Sequence, residues 1–128
     1  MNAGYSDKPL AQKLGFGRGD SVYVEDTPDW YSDFANENGL ELEPGLPATH
    51  AHIFFNSKSD LESFLKNNDL QGIEKSFWVS WPKKSSGVKT DLTEHVLRDL
   101  ILPTGWVDVK VVAIDDTWSG LKFFRRKA

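Results

Sequence analysis

Two stretches hold residues whose types and spacing suit chemistry. The first, Trp81 to Glu94, reads WPKKSSGVKTDLTE and follows the apolar run SFWVS. Lys83, Lys84 and Lys89 bring positive charge. Ser85, Ser86 and the Gly87 backbone bring hydrogen-bond donors beside a helix start, which together make an anion cradle. It is no P-loop, because GxxxxGK[ST] is absent. Asp91 at the helix cap repels an anion on the helix axis, so a phosphate belongs nearer the lysines. The second stretch, Asp115 to Gly120, reads DDTWSG. Asp115 and Asp116 offer metal ligands or a general base, and Trp118 offers a platform for a ring. Each stretch also has a plainer reading: a solvated loop capped by Thr90 and Asp91, and a turn built from ordinary turn formers. In that case the acidic pair and the lysines neutralise one another across the loop mouth.

Other constellations are weaker. Ser80 and Lys83 spell S-x-x-K, but that pair needs a helix and here straddles a strand end with Pro82 inside it. His50 and His52 alternate along an extended segment and share a face, as in some metal sites, without a third ligand beside them. His95 sits on the polar side of its helix. The tail FFRRKA is a basic terminus whose Arg125 and Arg126 could face a protein or an anionic polymer.

Bulk properties narrow the field. The chain has 128 residues, no cysteine and a net charge of -4. Disulfides, thiolate zinc sites and cysteine nucleophiles are thereby excluded. An acidic balance argues against general nucleic-acid binding. The charge is uneven: residues 1–64 carry 4 basic and 11 acidic side chains, and residues 65–128 carry 11 basic and 8 acidic ones. An anion belongs with the second half. No apolar run is long enough to cross a bilayer, and MNAGYSDKPL lacks the features of a signal peptide, so a cytoplasmic location is expected.

The elements that must position these residues follow from pattern. Ser21 to Glu25 reads as a strand; Thr27 and Pro28 then start a helix whose Trp30, Tyr31 and Phe34 recur at helical spacing up to Gly39. Glu41 to Thr49 reads as an irregular loop, and His52 to Phe55 as a strand. Ser59 and Glu62 form a capping box for a helix from about Asp60 to Asn67. Ile73 to Ser80 is the next strand. Asp91 and Glu94 repeat the box before the apolar face of Leu92, Val96, Leu97, Leu100 and Ile101. Trp106 to Ile114 and Leu121 to Arg125 then form a hairpin. The expectation is one three-layer α/β domain over residues 1–128, with a mostly parallel five-stranded sheet and an antiparallel carboxyl-terminal hairpin. Ligands of such sheets bind beyond the carboxyl ends of the strands. Glu25 to Pro28, Asn56 to Ser57, Trp81 to Thr90 and Asp115 to Gly120 should therefore meet on one edge.

WPKKSSGVKTDLTE, DDTWSGLKFFRR and GYSDKPLAQKLGF together resemble a small bacterial family described only as a domain of unknown function. The succession of elements also looks like a Rossmann-type methyltransferase from which the middle strands have been removed. That likeness implies a nucleotide-like cofactor, but the glycines needed after the first strand are replaced by EDTPDW, which argues against methyl transfer. The leading expectation is a binding domain for an anionic metabolite or nucleotide-like ligand held by Trp81, Lys83, Lys84, Ser86, Gly87, Asp115, Asp116 and Trp118. No metal and no specific cofactor are assigned. The rivals are a small enzyme using Asp115 or Asp116 with Lys83, and an interaction module that docks a partner or a second copy of the chain.

Overall fold

A computed structural model describes residues 8–127; residues 1–7, which include the start of the GYSDKPL motif, and Ala128 lie outside the described residues. The strands are β1 (Ser21–Glu25), β2 (Glu41–Glu43), β3 (Ala48–Phe54), β4 (Ile73–Pro82), β5 (Trp106–Ala113) and β6 (Trp118–Arg125), and the helices are α1 (Leu10–Leu14), α2 (Tyr31–Glu37), α3 (Lys58–Asn67) and α4 (Glu94–Ile101). They form one mixed sheet in the order β2-β1-β3-β4-β6-β5. β1 pairs in parallel with β2 and β3, and β3 with β4, whereas β6 runs antiparallel to both β4 and β5.

The sheet has six strands rather than the five expected. The additional one, β2, lies in the Glu41–Thr49 stretch read as a loop. It has three residues, sits at the sheet edge, and buries none of them fully. An exposed edge strand has no apolar alternation to reveal it.

Each interior strand feeds two cores, because successive side chains point to opposite faces. On one face α3 and α4 cover Tyr23, Ile53, Phe77, Val79, Trp81 and Phe123. On the other, α1 and α2 cover Val22, Phe54, Trp78 and Ile114. Both helices on the first face begin a little away from where capping boxes suggest. Ser57, not Ser59, caps α3 by accepting from the Asp60 N–H (3.2 Å), and Thr93, not Asp91, caps α4 by accepting from the Val96 N–H (3.2 Å). The Asp91 carboxylate instead accepts from the Lys58 N–H (2.7 Å) and so joins the first turn of α3 to the loop before α4.

The turn after β1 is unusual. Asp26 has φ 56°, the left-handed region that glycine occupies without penalty. With the chain bent there, α2 starts at Tyr31 rather than at Thr27 and Pro28. Asp26→Ala is expected to unfold about 1 kcal/mol more easily than Asp26→Gly in urea titrations, since only the former keeps a Cβ in that conformation. Equal midpoints would show that the turn bears no such cost.

Candidate functional site

The carboxyl ends of β1, β3 and β4 emerge on one edge with the β5–β6 turn beside them. The Lys83 N–H donates to Thr117 O (2.7 Å), and Pro82 is in register with Trp118. Lys83 and the hairpin tip are therefore neighbours, as chain direction requires.

The edge is divided electrostatically. At the β1 end a recess of about 300 Å³ is lined by Glu25, Asp26 and Asp60 with Asn67 and Asn68. Burial, and then the charge of Asp26, raise the Glu25 carboxyl above its ordinary range. At the β4 end a broad open depression of about 1290 Å³ lies between the Trp81–Thr90 segment, the residues Asn56 and Ser57 that lead into α3, and the first turn of α4; Lys83, Lys84 and Lys89 line it.

The two signs of charge around the depression differ in what they do. Asp91 is bonded to the α3 backbone, and Glu94 is paired with Arg98 (2.9 Å), which also binds Asp108 (2.9 Å). Among the described residues Lys83, Lys84 and Lys89 have no ion-pair partner. The loop carrying them is built locally. Lys84–Ser86 form one 3-10 turn, Ser86 Oγ donates to Lys83 O (2.7 Å) and accepts from the Val88 N–H (3.1 Å), and Gly87 sits at φ 79°. Ser86 and Gly87 thus shape the loop and do not line the depression. A Cβ on Gly87 would meet nothing within 4 Å, so its backbone angle, not close approach of another group, accounts for it.

The second group of expected site residues lies elsewhere. Trp118 and Trp81 extend from opposite faces of the sheet: Trp81 belongs to the α3/α4 core, while Trp118 meets Phe54 edge-on (5.1 Å) in the α1/α2 core. Asp115 organises the hairpin tip. Its Oδ1 accepts from the N–H groups of Thr117 (2.8 Å) and Trp118 (2.7 Å), and its Oδ2 from the Trp30 indole (2.9 Å). Asp115 and Asp116 line a separate recess of about 460 Å³ near Lys110, Lys13 and Gln12, which Lys83 also reaches. The depression therefore brings together Trp81, Lys83 and Lys84 and leaves out Asp115, Asp116 and Trp118, while Lys83 stands between it and the recess of the two aspartates.

His50 and His52 form a buried polar layer beneath α1 and α2. His50 Nδ1 meets Ser76 Oγ (2.6 Å) and its Nε2 meets Asp20 Oδ2 (2.9 Å). His52 Nδ1 meets Tyr31 Oη (2.7 Å) and its Nε2 meets Ser80 Oγ (2.7 Å). Asp20–His50–Ser76 has the membership of a catalytic triad, but Ser76 is 1% exposed and the ring of Phe16 lies 4.5 Å from that of His50. No substrate reaches that hydroxyl. Ser80 is equally enclosed, so it cannot act with Lys83. The even spacing of His50 and His52, two residues apart, and of Ser76 and Ser80, four apart, puts each pair on one strand face and was the available signal; it points to a cross-strand network. Among the described residues no group of three His, Cys, Asp or Glu could hold a metal. Arg125 is committed too, donating to the carbonyls of Gln71 and Ile73 over the Trp106 ring.

No protein-family model matches the chain, so the likeness to a domain of unknown function rests on its motifs alone, and no curated protein matches it either. Solved structures do. A protein in the NADB-Rossmann superfamily from Streptococcus agalactiae superposes with a TM-score of 0.58 at 12% identity, over 99% of this chain and 72% of that one. Magnesium protoporphyrin IX methyltransferase from Synechocystis, solved with bound SAM, gives 0.56 at 8% identity over 91% and 74%. An O-methyltransferase family 2 protein from Planctomyces limnophilus, solved with apigenin, gives 0.55 at 12% identity, and the 90% of this chain that aligns spans 44% of that protein. Among the described residues no helix is long and apolar enough to cross a membrane. At these identities the comparisons establish the architecture: the chain has a Rossmann-like α/β fold of the kind found in SAM-dependent methyltransferases.

Proposed function

We propose that the protein is a small-molecule binding domain whose ligand is an anion held in the depression at the β4 end of the sheet. One observation carries this reading: three lysines on one loop line the depression with no ion-pair partner among the described residues, while Asp91 and Glu94 beside it are engaged within the protein. Unneutralised cations beside a concave surface raise the local concentration of anions and favour binding. Ligand binding at the carboxyl edge is also what this class of sheet commonly does. Catalysis is not part of the proposal. Of the two acids named for the enzyme alternative, Asp115 has both carboxylate oxygens occupied, and Asp116 lines the smaller recess and not the depression.

The test is a thermal-shift series of the full chain against phosphate, nucleotides, phosphorylated sugars and carboxylates, repeated with Lys83→Ala and Lys84→Ala. A ligand at one hundred times its Kd adds about 2.7 kcal/mol to stability, enough to raise Tm by several degrees. Both variants are expected to lose most of that shift while melting normally without ligand. A shift that survives both substitutions, or no shift with any anion, would overturn the assignment.

A further inference from the structure

We infer that the ligand is an amphipathic anion: one carboxylate or phosphate on an apolar hydrocarbon or aryl body, free in solution. This deepens the preceding reading and rests on it.

The depression has an apolar floor. Trp81, Pro82, Val88 and Leu92 line it, and the lysines stand around it. Val88 is 44% exposed although it lies on a loop fixed by the Ser86 hydroxyl and the Gly87 turn. A branched apolar side chain held open between Gly87 and Lys89 adds nothing to the protein's own core and offers contact to an apolar guest. Half of the neutral polar side chains on the lining, Ser57, Thr90 and Thr93, are already engaged in capping and loop bonds, leaving those of Asn56, Ser85 and Ser119. Thr90 Oγ1 donates to Asn56 O (2.6 Å) and accepts from the Leu92 N–H (3.1 Å), Thr93 caps α4 and Ser57 caps α3. An acyl or aryl body needs no polar partners and matches the apolar part of the lining, Trp81, Pro82, Val88 and Leu92. The depression, at about 1290 Å³, is also far larger than a phosphate requires. Head and body thus have separate places, the head at Lys83, Lys84 and Lys89 and the body over Trp81 and Val88.

Two ligand series with constant heads test this, read by tryptophan fluorescence or calorimetry below micellar concentrations: acetate, hexanoate and decanoate, then phosphate, hexyl phosphate and naphthyl phosphate. Affinity is expected to rise with the apolar body by up to about fourfold for each fully buried methylene. Lys83→Ala with Lys84→Ala should weaken every member, and Val88→Ser should weaken the long members while leaving acetate and phosphate unchanged. Equal binding of phosphate and hexyl phosphate, still dependent on the lysines, would overturn the amphipathic ligand and leave the anion site standing. Decanol binding as well as decanoate would remove the need for an anionic head. Lysine-dependent sedimentation with phosphatidylglycerol vesicles, in the absence of binding to the soluble series, would overturn the free ligand in favour of a bilayer. Failure of every anion to bind would remove both readings together.

Discussion

Trp78→Ala is expected to lower the unfolding free energy by about 3–5 kcal/mol, the range for truncating a fully enclosed large aromatic. Trp78 is 0% exposed and lies at the centre of the α1/α2 face. Its indole N–H donates to Leu14 O (3.0 Å) and ties the end of α1 to the sheet. Gly120 of β6, in register with Ser80 two residues along β4, allows this fit. Gly120 faces the ring, and a Cβ there would come within 3.2 Å of Trp78 and 2.9 Å of Ile114. Lys122 lies over the same ring at 5.8 Å and over Phe124 at 4.7 Å, and burial, followed by the charge of Lys110, lowers its ammonium below the usual lysine range. Alanine would remove the ring, strand a buried carbonyl and take away one of the two aromatic faces beside Lys122. Trp78→Phe separates the contributions, since it retains most of the volume and loses the hydrogen bond; a cost of about 1–3 kcal/mol is expected. Trp118→Ala, at a half-buried position, should cost less than Trp78→Ala. Urea titrations that rank Trp118→Ala as the more damaging change would show that the hairpin tip, not the α1 contact, holds this face together.

Much of the fold was legible in residue pattern. The continuous apolar cores of SVYVE and SFWVS reflect strands buried on both faces of a sheet, and the helical spacing of Trp30, Tyr31 and Phe34 and of Leu97 and Ile101 reflects the helices that cover them. In each case burial leaves a trace in the pattern. β2 left none, because Leu42 remains 37% exposed and its neighbours are glutamates. Helix starts were displaced by tertiary competition. Asp91 and Glu94 have the spacing of a capping box, yet Asp91 is drawn to the α3 backbone and Glu94 to Arg98. The partner of Asp91 lies 33 residues away and could not be foreseen, whereas Glu94 and Arg98 are an ordinary i,i+4 helix pair.

The candidate site was legible as a loop but not as a pocket. Lysines, serines and a glycine between a strand and a helix mark a carboxyl-edge loop, and the parallel order of β1, β3 and β4 brings that loop to the expected edge. The face each side chain takes depends on register. Trp81 aligns with Ser119 and Pro82 with Trp118, so a difference of one residue sends the two tryptophans into different cores. The length and shape of the DDTWSG turn set that register. Asp115 determines it by binding two N–H groups within the turn and the indole of Trp30 from another element.

Acidification from pH 7 towards 4 is expected to destabilise the fold well before most surface carboxylates titrate, because the histidine layer is buried as neutral imidazole. Burial pushes His52 from 6.5 down to about 3. The groups packed on it are Tyr31, whose phenol burial pushes upward, and Ser80; neither brings a negative charge to an imidazolium. His50 is lowered mainly by burial, which outweighs the opposing hydrogen bond and charge of Asp20; Lys75 and Lys122 add to the lowering. Both groups have folded values below their unfolded ones, so the unfolded chain binds protons first. Their stabilisation is complete above about pH 6.5 and declines as pH falls, by up to about 1.4 kcal/mol per pH unit for each group. For His52 that decline continues to about pH 3. Asp20 acts in the same direction at lower pH. Burial opposes its ionisation, but bonds from the Gly17 N–H and His50 and the charge of Lys75 hold it below the usual carboxylate value. His52→Gln keeps a donor and an acceptor for Tyr31 and Ser80 and has nothing to titrate. Its stability at pH 7 should be lower than that of the parent through imperfect packing, while the slope of unfolding free energy between pH 4 and 6.5 should be shallower. A slope unchanged in that variant would place the acid sensitivity in His50 and Asp20, and one unchanged also in His50→Gln would exclude the histidine layer as its source.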